Sequence, residues 1–330
     1  MGAIMHGTVL RSRSMAAPVL LGVALCLLAA PARGVIIDTF TGSGNTTAPP
    51  DNPGWANVGT VNNGSAVYLG NRWVITANHV GSGSTTLSGT TYAMVPGSNV
   101  ILSNNGTPGR TANADLLMYQ LDTDPGLPAL TIAATAPADT AAVTMIGAGR
   151  DRGALTTWFV NTIPNPWVWT VDNVTPNAAG YAWAGSRTMR WGTNAITGTA
   201  DWIDYNPGFF VSVLALQTTF DDLPGDSTEA QAAVGDSGGA VFSKNGASWE
   251  LAGIMLAIDA YSGQPGSTAV FGNNTYSADL SFYRSQIVMV VPEPSAWILA
   301  IAGGAGGTAS FIRRRRGTGG RRARTRSRGG

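Results

Sequence analysis

Short apolar runs bounded by turn residues constrain this chain more than any other feature. They fall at 58–61, 66–69, 72–76, 92–95, 100–102, 116–121 and 142–146. Asn63-Gly64 and Gly70-Asn71 separate the first three, and such pairs are hairpin chemistry, because they accept the positive φ of tight turns between strands. No stretch carries a sustained 3.6-residue apolar period until 279–287. Many short strands at regular spacing predict an all-β fold, a sandwich or pair of barrels, with one closing helix. The 43 glycines suit a chain that turns this often.

The two ends read differently from the body between them. Arg11 and Arg13 precede an apolar run and the small-residue site Ala30-Pro31-Ala32, the layout of a secretory signal peptide over 1–32. At the other end Val291-Pro292-Glu293-Pro294 leads into 295–312, an apolar stretch just long enough for a transmembrane helix, followed by Arg313-Arg314-Arg315-Arg316. Arginines on that side place the tail in the cytoplasm and the body outside. A basic, disordered extension follows over 317–330. A nucleic-acid arm is the rival reading of these arginines, and it leaves the adjoining apolar run unexplained.

The body, 33–290, is then bounded by charge and by what it lacks. A formal net charge of +1 averages unlike parts: nine arginines at or after Arg313 offset a body with more than twice as many acidic as basic side chains. A surface this acidic excludes nucleic acid as a partner. The single cysteine, Cys26, lies in the leader, so neither a disulfide framework nor a thiolate metal site is expected. His79 is the one histidine left once His6 departs with the leader, too few ligands for the usual zinc hydrolase.

Six of the ten tryptophans fall in 153–202, read here as an insertion. Trp158-Phe159-Val160 and Trp167-Val168-Trp169, with Pro164 and Pro166 between them, predict a hairpin. Its aromatics suit either strand packing or a platform for polymer substrate or matrix.

Three polar side chains stand out against this background. Ser237 lies in Gly235-Asp236-Ser237-Gly238-Gly239, where glycines let backbone N–H groups converge on one point. His79 ends the run Trp73-Val74-Ile75-Thr76-Ala77-Asn78. Asp115 opens Asp115-Leu116-Leu117-Met118-Tyr119-Gln120-Leu121, a buried strand in which a carboxylate needs hydrogen-bond partners; Asp122 and Asp124 read as solvated turn residues. A serine hydroxyl needs a base to become a nucleophile, and an imidazole needs a carboxylate to hold its tautomer.

These blocks, in the order His79, Asp115, Ser237, resemble the signatures of trypsin-like serine proteases. The resemblance implies two six-stranded antiparallel β-barrels with a short C-terminal helix, and a serine endopeptidase with no metal or organic cofactor. It implies a catalytic set of His79, Asp115 and Ser237, an oxyanion hole from Gly235 and Ser237, and substrate contacts from Gln231, Leu256 and Ala257. Val80 stands where many relatives carry a disulfide cysteine. Leu256 replaces a serine that in relatives hydrogen-bonds the triad carboxylate, so one bond to Asp115 is expected to be missing. Gln231 stands at the pocket base in place of an aspartate, which argues against cleavage after Lys or Arg. In relatives the residue at Asp236 pairs with a freed amino terminus, for which Val35 or Ile36 is the candidate. The other reading of the domain is a weak or inactive protease-fold module that binds matrix or surface polymer.

The end of the chain, 291–316, resembles the PEP-CTERM sorting signal of exported bacterial proteins. It implies an exosortase-type sorting peptidase as partner, a transient anchor in the inner membrane, and release of the body to the cell surface or extracellular matrix.

Overall fold

The computed structural model describes residues 34–291 other than 40, 224 and 226. The expected signal peptide over 1–32, the membrane helix over 295–312 and the tail over 317–330 lie outside these residues, as does all of the sorting signal except Val291. Among the described residues no helix is long and apolar enough to cross a membrane.

A two-residue strand, β1 (Ile36–Ile37), precedes a loop and then seven strands: β2 (Val58–Val61), β3 (Gly64–Gly70), β4 (Trp73–Ala77), β5 (Thr85–Leu87), β6 (Thr90–Tyr92), β7 (Val100–Ser103) and β8 (Asn113–Gln120). They form one sheet in the order β6-β5-β2-β3-β4-β8-β7. Alternation along the strands sorts the apolar side chains between its two faces. Val61, Ala66, Tyr68, Val74, Leu117 and Tyr119 pack together on one, and Val67, Leu69, Ile75, Leu116 and Met118 join a second cluster. The sheet also folds back on itself, since Met94 bridges Leu121 and the Val95 amide donates to the Gln120 carbonyl at 2.8 Å.

The second half supplies β9 (Ala142–Gly147), β10 (Arg150–Asn161), β11 (Val168–Val171), β12 (Ala178–Arg187), β13 (Arg190–Tyr205), β14 (Val211–Thr219), β15 (Ala230–Gln231), β16 (Ala240–Asn245), β17 (Ser248–Ile258), β18 (Thr268–Val270) and β19 (Asn274–Asp279). Six of these close into a barrel in the order β13-β14-β19-β17-β16-β9. Val143, Met145, Ile196, Leu216, Val241, Ala252 and Met255 form its apolar core. Of the two six-stranded barrels expected, continuous ladders show one. One six-stranded barrel is closed by continuous ladders, while the first half is a seven-stranded sheet, because β7 adds to the outer edge of β8 and a single bridge joins 94 to 121.

The largest apolar cluster joins the halves, bringing Val58, Ile75 and Met118 against Val213, Phe242 and Ile254. The helix α1 (Leu280–Val290) packs into this cluster through Leu280, Tyr283 and Ile287, all fully buried. Its N-terminus is capped by Asp279, which accepts the Ser281 amide at 2.9 Å. The cap contributes about 1 kcal/mol, whereas each buried side chain contributes about 1.5–3 kcal/mol, so packing rather than capping holds the helix in place.

The tryptophan hairpin forms as expected, with Trp158 opposite Val171 and Asn161 opposite Val168. It belongs to a separate four-stranded sheet, β11-β10-β12-β18. The segment 153–202 is divided between two sheets, because Trp191 and Trp202 lie on β13, a strand of the closed barrel. All three long strands mix buried, half-buried and exposed positions, and strict alternation is longest at the start of β13.

Candidate active site

β4 and β8 run antiparallel with Ala77 opposite Leu116, which sets the turn after β4 against the start of β8. The Asn78 amide donates to the Asp115 carbonyl at 3.2 Å, and the His79 amide donates to Asp115 Oδ1 at 2.8 Å. His79 Nδ1 lies 2.5 Å from Asp115 Oδ2. The carboxylate is fully buried and the imidazole side chain is 17% exposed, so the pair is screened on one side and open on the other.

A third donor completes the carboxylate's shell. Tyr205, the last residue of β13, donates its hydroxyl to the same Oδ2 at 2.5 Å. Burial, and then the charge of Asp115, push this phenol far above its ordinary range, so it remains a donor. The bond expected to be missing at Leu256 is therefore supplied from another strand. Nothing in the local sequence marks Tyr205; the absence of a donor at 256 is the only hint that one must exist elsewhere.

Ser237 sits half-buried in the loop between β15 and β16. Its hydroxyl donates to the Leu256 carbonyl at 3.5 Å, and no hydrogen bond joins it to His79. The two segments are nevertheless close neighbours. A Cβ added at Gly64 would lie 2.7 Å from the Val80 side chain, next to His79, and 3.0 Å from the Ser237 carbonyl.

The loop around Ser237 is held by backbone bonds. The Val234 carbonyl accepts the Arg150 amide at 3.2 Å, and the Asp236 carbonyl accepts the Gly239 amide at 2.7 Å. Because N–H and C=O point opposite ways across a planar trans peptide, these bonds fix the directions of the Gly235 and Ser237 N–H groups. Neither N–H is taken by a hydrogen bond within the described residues. Gly235 has φ +101°, which favours glycine, and the Arg187 guanidinium lies over it where a Cβ would stand.

Ser65, on β3, reaches this loop from the other half. Its amide donates to the Ser237 carbonyl at 2.8 Å and its hydroxyl to the Gly235 carbonyl at 3.0 Å. The same hydroxyl accepts the Ala148 amide at 2.9 Å.

Asp236 is fully buried, and burial pushes its carboxyl up to about 7 against the lowering effect of two backbone donors and Arg187. Those donors are the Gly149 amide at 2.6 Å and the Ala233 amide at 2.8 Å. Val35 and Ile36, the candidates for a freed terminus, lie within a continuous buried segment, and Ile36 pairs with Gln231 in the β1–β15 ladder.

A cavity of about 130 Å³ beside Ser237 is lined by Ala232, Ala233, Val234, Met255, Leu256, Ala257 and Ile258. Leu256 and Ala257 border this cavity, and Gln231 does not. Alternation about β15 turns Ala230 and Ala232 into the barrel core and Gln231 away from it, fully buried and with no partner for its amide among the described residues. Among those residues no cluster of three or more His, Cys, Asp or Glu is placed to hold a metal.

The sequence model of a family described as Trypsin matches residues 42–279. The chain belongs to the trypsin family. Solved structures similar to it include the inactive form of the Rv3671c protease of M. tuberculosis, at 13% identity and TM-score 0.41, covering 72% of this chain and 90% of that one. The NS6 protease of murine norovirus 1 is similar at 15% identity and TM-score 0.36, covering 68% and 93%. The HtrA-type protease AlgW with a decapeptide is similar at 19% identity and TM-score 0.35, covering 68% and 51%. No curated protein matches the sequence. What this trypsin-family domain holds at its centre is a buried carboxylate on an imidazole, with a serine and two untaken N–H groups beside them.

Proposed function

We propose that this chain is an exported serine endopeptidase that hydrolyses peptide bonds through an acyl-enzyme. Ser237 is the nucleophile, His79 the general base and then acid, and Asp115 the group that holds the imidazole tautomer. The Gly235 and Ser237 N–H groups receive the oxyanion. The observation that carries this reading is that pair of N–H groups, left without partners beside a serine hydroxyl while their peptides are pinned.

In the reaction the Ser237 hydroxyl leaves the Leu256 carbonyl, to which its present bond is long, and turns toward His79. Its proton passes to His79 as Oγ attacks the substrate carbonyl. The amine leaves with that proton, and water repeats the sequence to release the acid. The cavity of about 130 Å³ is apolar and holds no carboxylate, so it suits a small or medium apolar side chain before the cleaved bond rather than Lys or Arg. Protein or peptide is the substrate class. The terminal segments extend the proposal to export, a transient inner-membrane anchor and an exosortase-type partner, with release to the surface or matrix.

The aromatic cleft of the insertion favours a second reading. Trp167, Trp169 and Tyr261 line a cavity of about 500 Å³, with the Trp167 and Tyr261 rings stacked at 5.9 Å. On that reading binding of a matrix or surface polymer is the chain's activity and hydrolysis is weak or absent. One experiment separates them: labelling of the folded protein by a serine-directed phosphonate, compared with Ser237→Ala. We expect labelling and peptide turnover in the wild type and neither in the variant, at a loss of about 10⁴-fold or more. Folded wild-type protein that resists the reagent overturns the enzyme and leaves the binding module.

A further inference from the structure

We infer that Tyr205 is a positioning residue for the reaction, replacing the donor absent at Leu256 and making the β13–β14 hairpin part of the catalytic apparatus. The inference rests on the hydrolytic reading of His79, Asp115 and Ser237.

The geometry gives the hydroxyl one task. Asp115 Oδ1 is satisfied by the His79 amide, and Oδ2 is shared between His79 Nδ1 and Tyr205 Oη, each at 2.5 Å. Without the phenol both carboxylate oxygens are held by His79 alone, so the carboxylate and the imidazole can shift together. The phenol closes that freedom and takes up part of the charge on Oδ2, so it tunes how strongly this oxygen draws on the imidazole proton. The ionisable groups about this oxygen are His79, Asp115 itself and Tyr283.

The hairpin is braced for the purpose. Arg110, in the turn between β7 and β8, pairs with Asp204 at 3.0 Å and lies 5.0 Å over the Trp202 ring. Trp202 in turn meets Phe282 of α1 edge-on at 5.6 Å. The Ser212 amide donates to Thr111 Oγ1 at 3.0 Å, which ties the returning strand to the same turn. The end of β13 is thus fastened to the half of the molecule that carries Asp115. Beyond it Phe209 and Phe210 are exposed at the hairpin tip, so the element that orients the carboxylate also reaches solvent.

The test removes one oxygen and then retunes it. In Tyr205→Phe we expect kcat to fall about 10- to 100-fold with KM nearly unchanged, the scale of a hydrogen bond to a charged group. We also expect the acid limb of the kcat/KM profile to move and the low-field proton resonance of His79 Nδ1 to shift. Fluorinated tyrosines at 205 keep the packing and strengthen the donor, and the resonance should track their acidity. Unchanged kcat, acid limb and resonance in folded Tyr205→Phe, or a resonance indifferent to fluorination, would overturn the inference. The resonance is read equally well in Ser237→Ala, so the two proposals fail separately. Turnover that survives Ser237→Ala defeats Ser237 as the nucleophile and leaves the resonance to judge Tyr205.

Discussion

At the scale of single residues, the site depends on a missing side chain. Gly64 lies between Val80 and the Ser237 carbonyl, with no room for a methyl group, and the β-branched Val80 cannot fold aside. Gly64→Ala therefore drives the His79 segment away from the Ser237 loop. The expected outcome is a fall in kcat/KM of about 10-fold or more with a loss of stability of about 1–3 kcal/mol, as for overpacking elsewhere. Peptide turnover and thermal unfolding of the same preparation check it. The His79–Asp115 pair was legible in the sequence, because one residue follows a strand end and the other opens a strand, and so was the glycine turn that carries Ser237. Tyr205 was not, since its role comes from a contact between β13 and β8 that no local pattern encodes. Gln231 shows a related limit: a position counted from the nucleophile does not say which way a strand faces, and the pairing of β15 with β1 decides that.

At the scale of elements, the strands of the first half could be read from short apolar runs and turn residues, and the helix from its apolar period. The longer strands of the second half could not be assigned to sheets. β10, β12 and β13 are all long and half-buried, yet two belong to the insertion and one to the barrel. The insertion leaves the Ser237 loop at Arg150 and Arg187 and carries its aromatic rings roughly 26 Å outward, at about 3.3 Å per residue over the eight steps to Trp158. The cleft is rigid: Trp169 Nε1 donates to the Ser262 carbonyl at 2.9 Å and Asn177 bonds both backbone groups of Val160. A substrate that occupies both this cleft and the Ser237 loop must be long enough to span the distance. Trp167→Ala should raise KM for a polymeric or protein substrate several-fold, on the scale of one aromatic contact, while leaving turnover of a short peptide unchanged. Paired assays with the two substrate lengths decide it, and equal effects on both would remove the cleft from recognition.

At the scale of the whole molecule, the acidic body carries its charge unevenly. Burial pushes Glu229 up to about 7, with the charges of Asp221 and Asp38 adding to the rise, and burial likewise pushes Asp236 up to about 7. Folded-state values raised above the ordinary carboxylate range mean that the native state holds these protons longer than the unfolded chain does. Their contribution to stability is full below about pH 4 and is lost as pH rises toward 7, at about 1.4 kcal/mol per pH unit for each group. The unfolding midpoint should therefore fall between pH 4.5 and 7 (roughly, the window between ordinary and raised values) and level off above it. Glu229→Gln should flatten that slope; denaturant titrations across the range measure it.

Ser65 has a wider consequence. One residue of the first sheet holds both the Gly235 and the Ser237 carbonyls, which belong to the second half of the chain. The loop takes its working shape only when the halves are docked, so a polypeptide that is half made or half unfolded has no cutting power. On the proposed hydrolytic reading, such a chain can be synthesised beside its neighbours, and beside copies of itself, without digesting them. Its restraint is the act of folding.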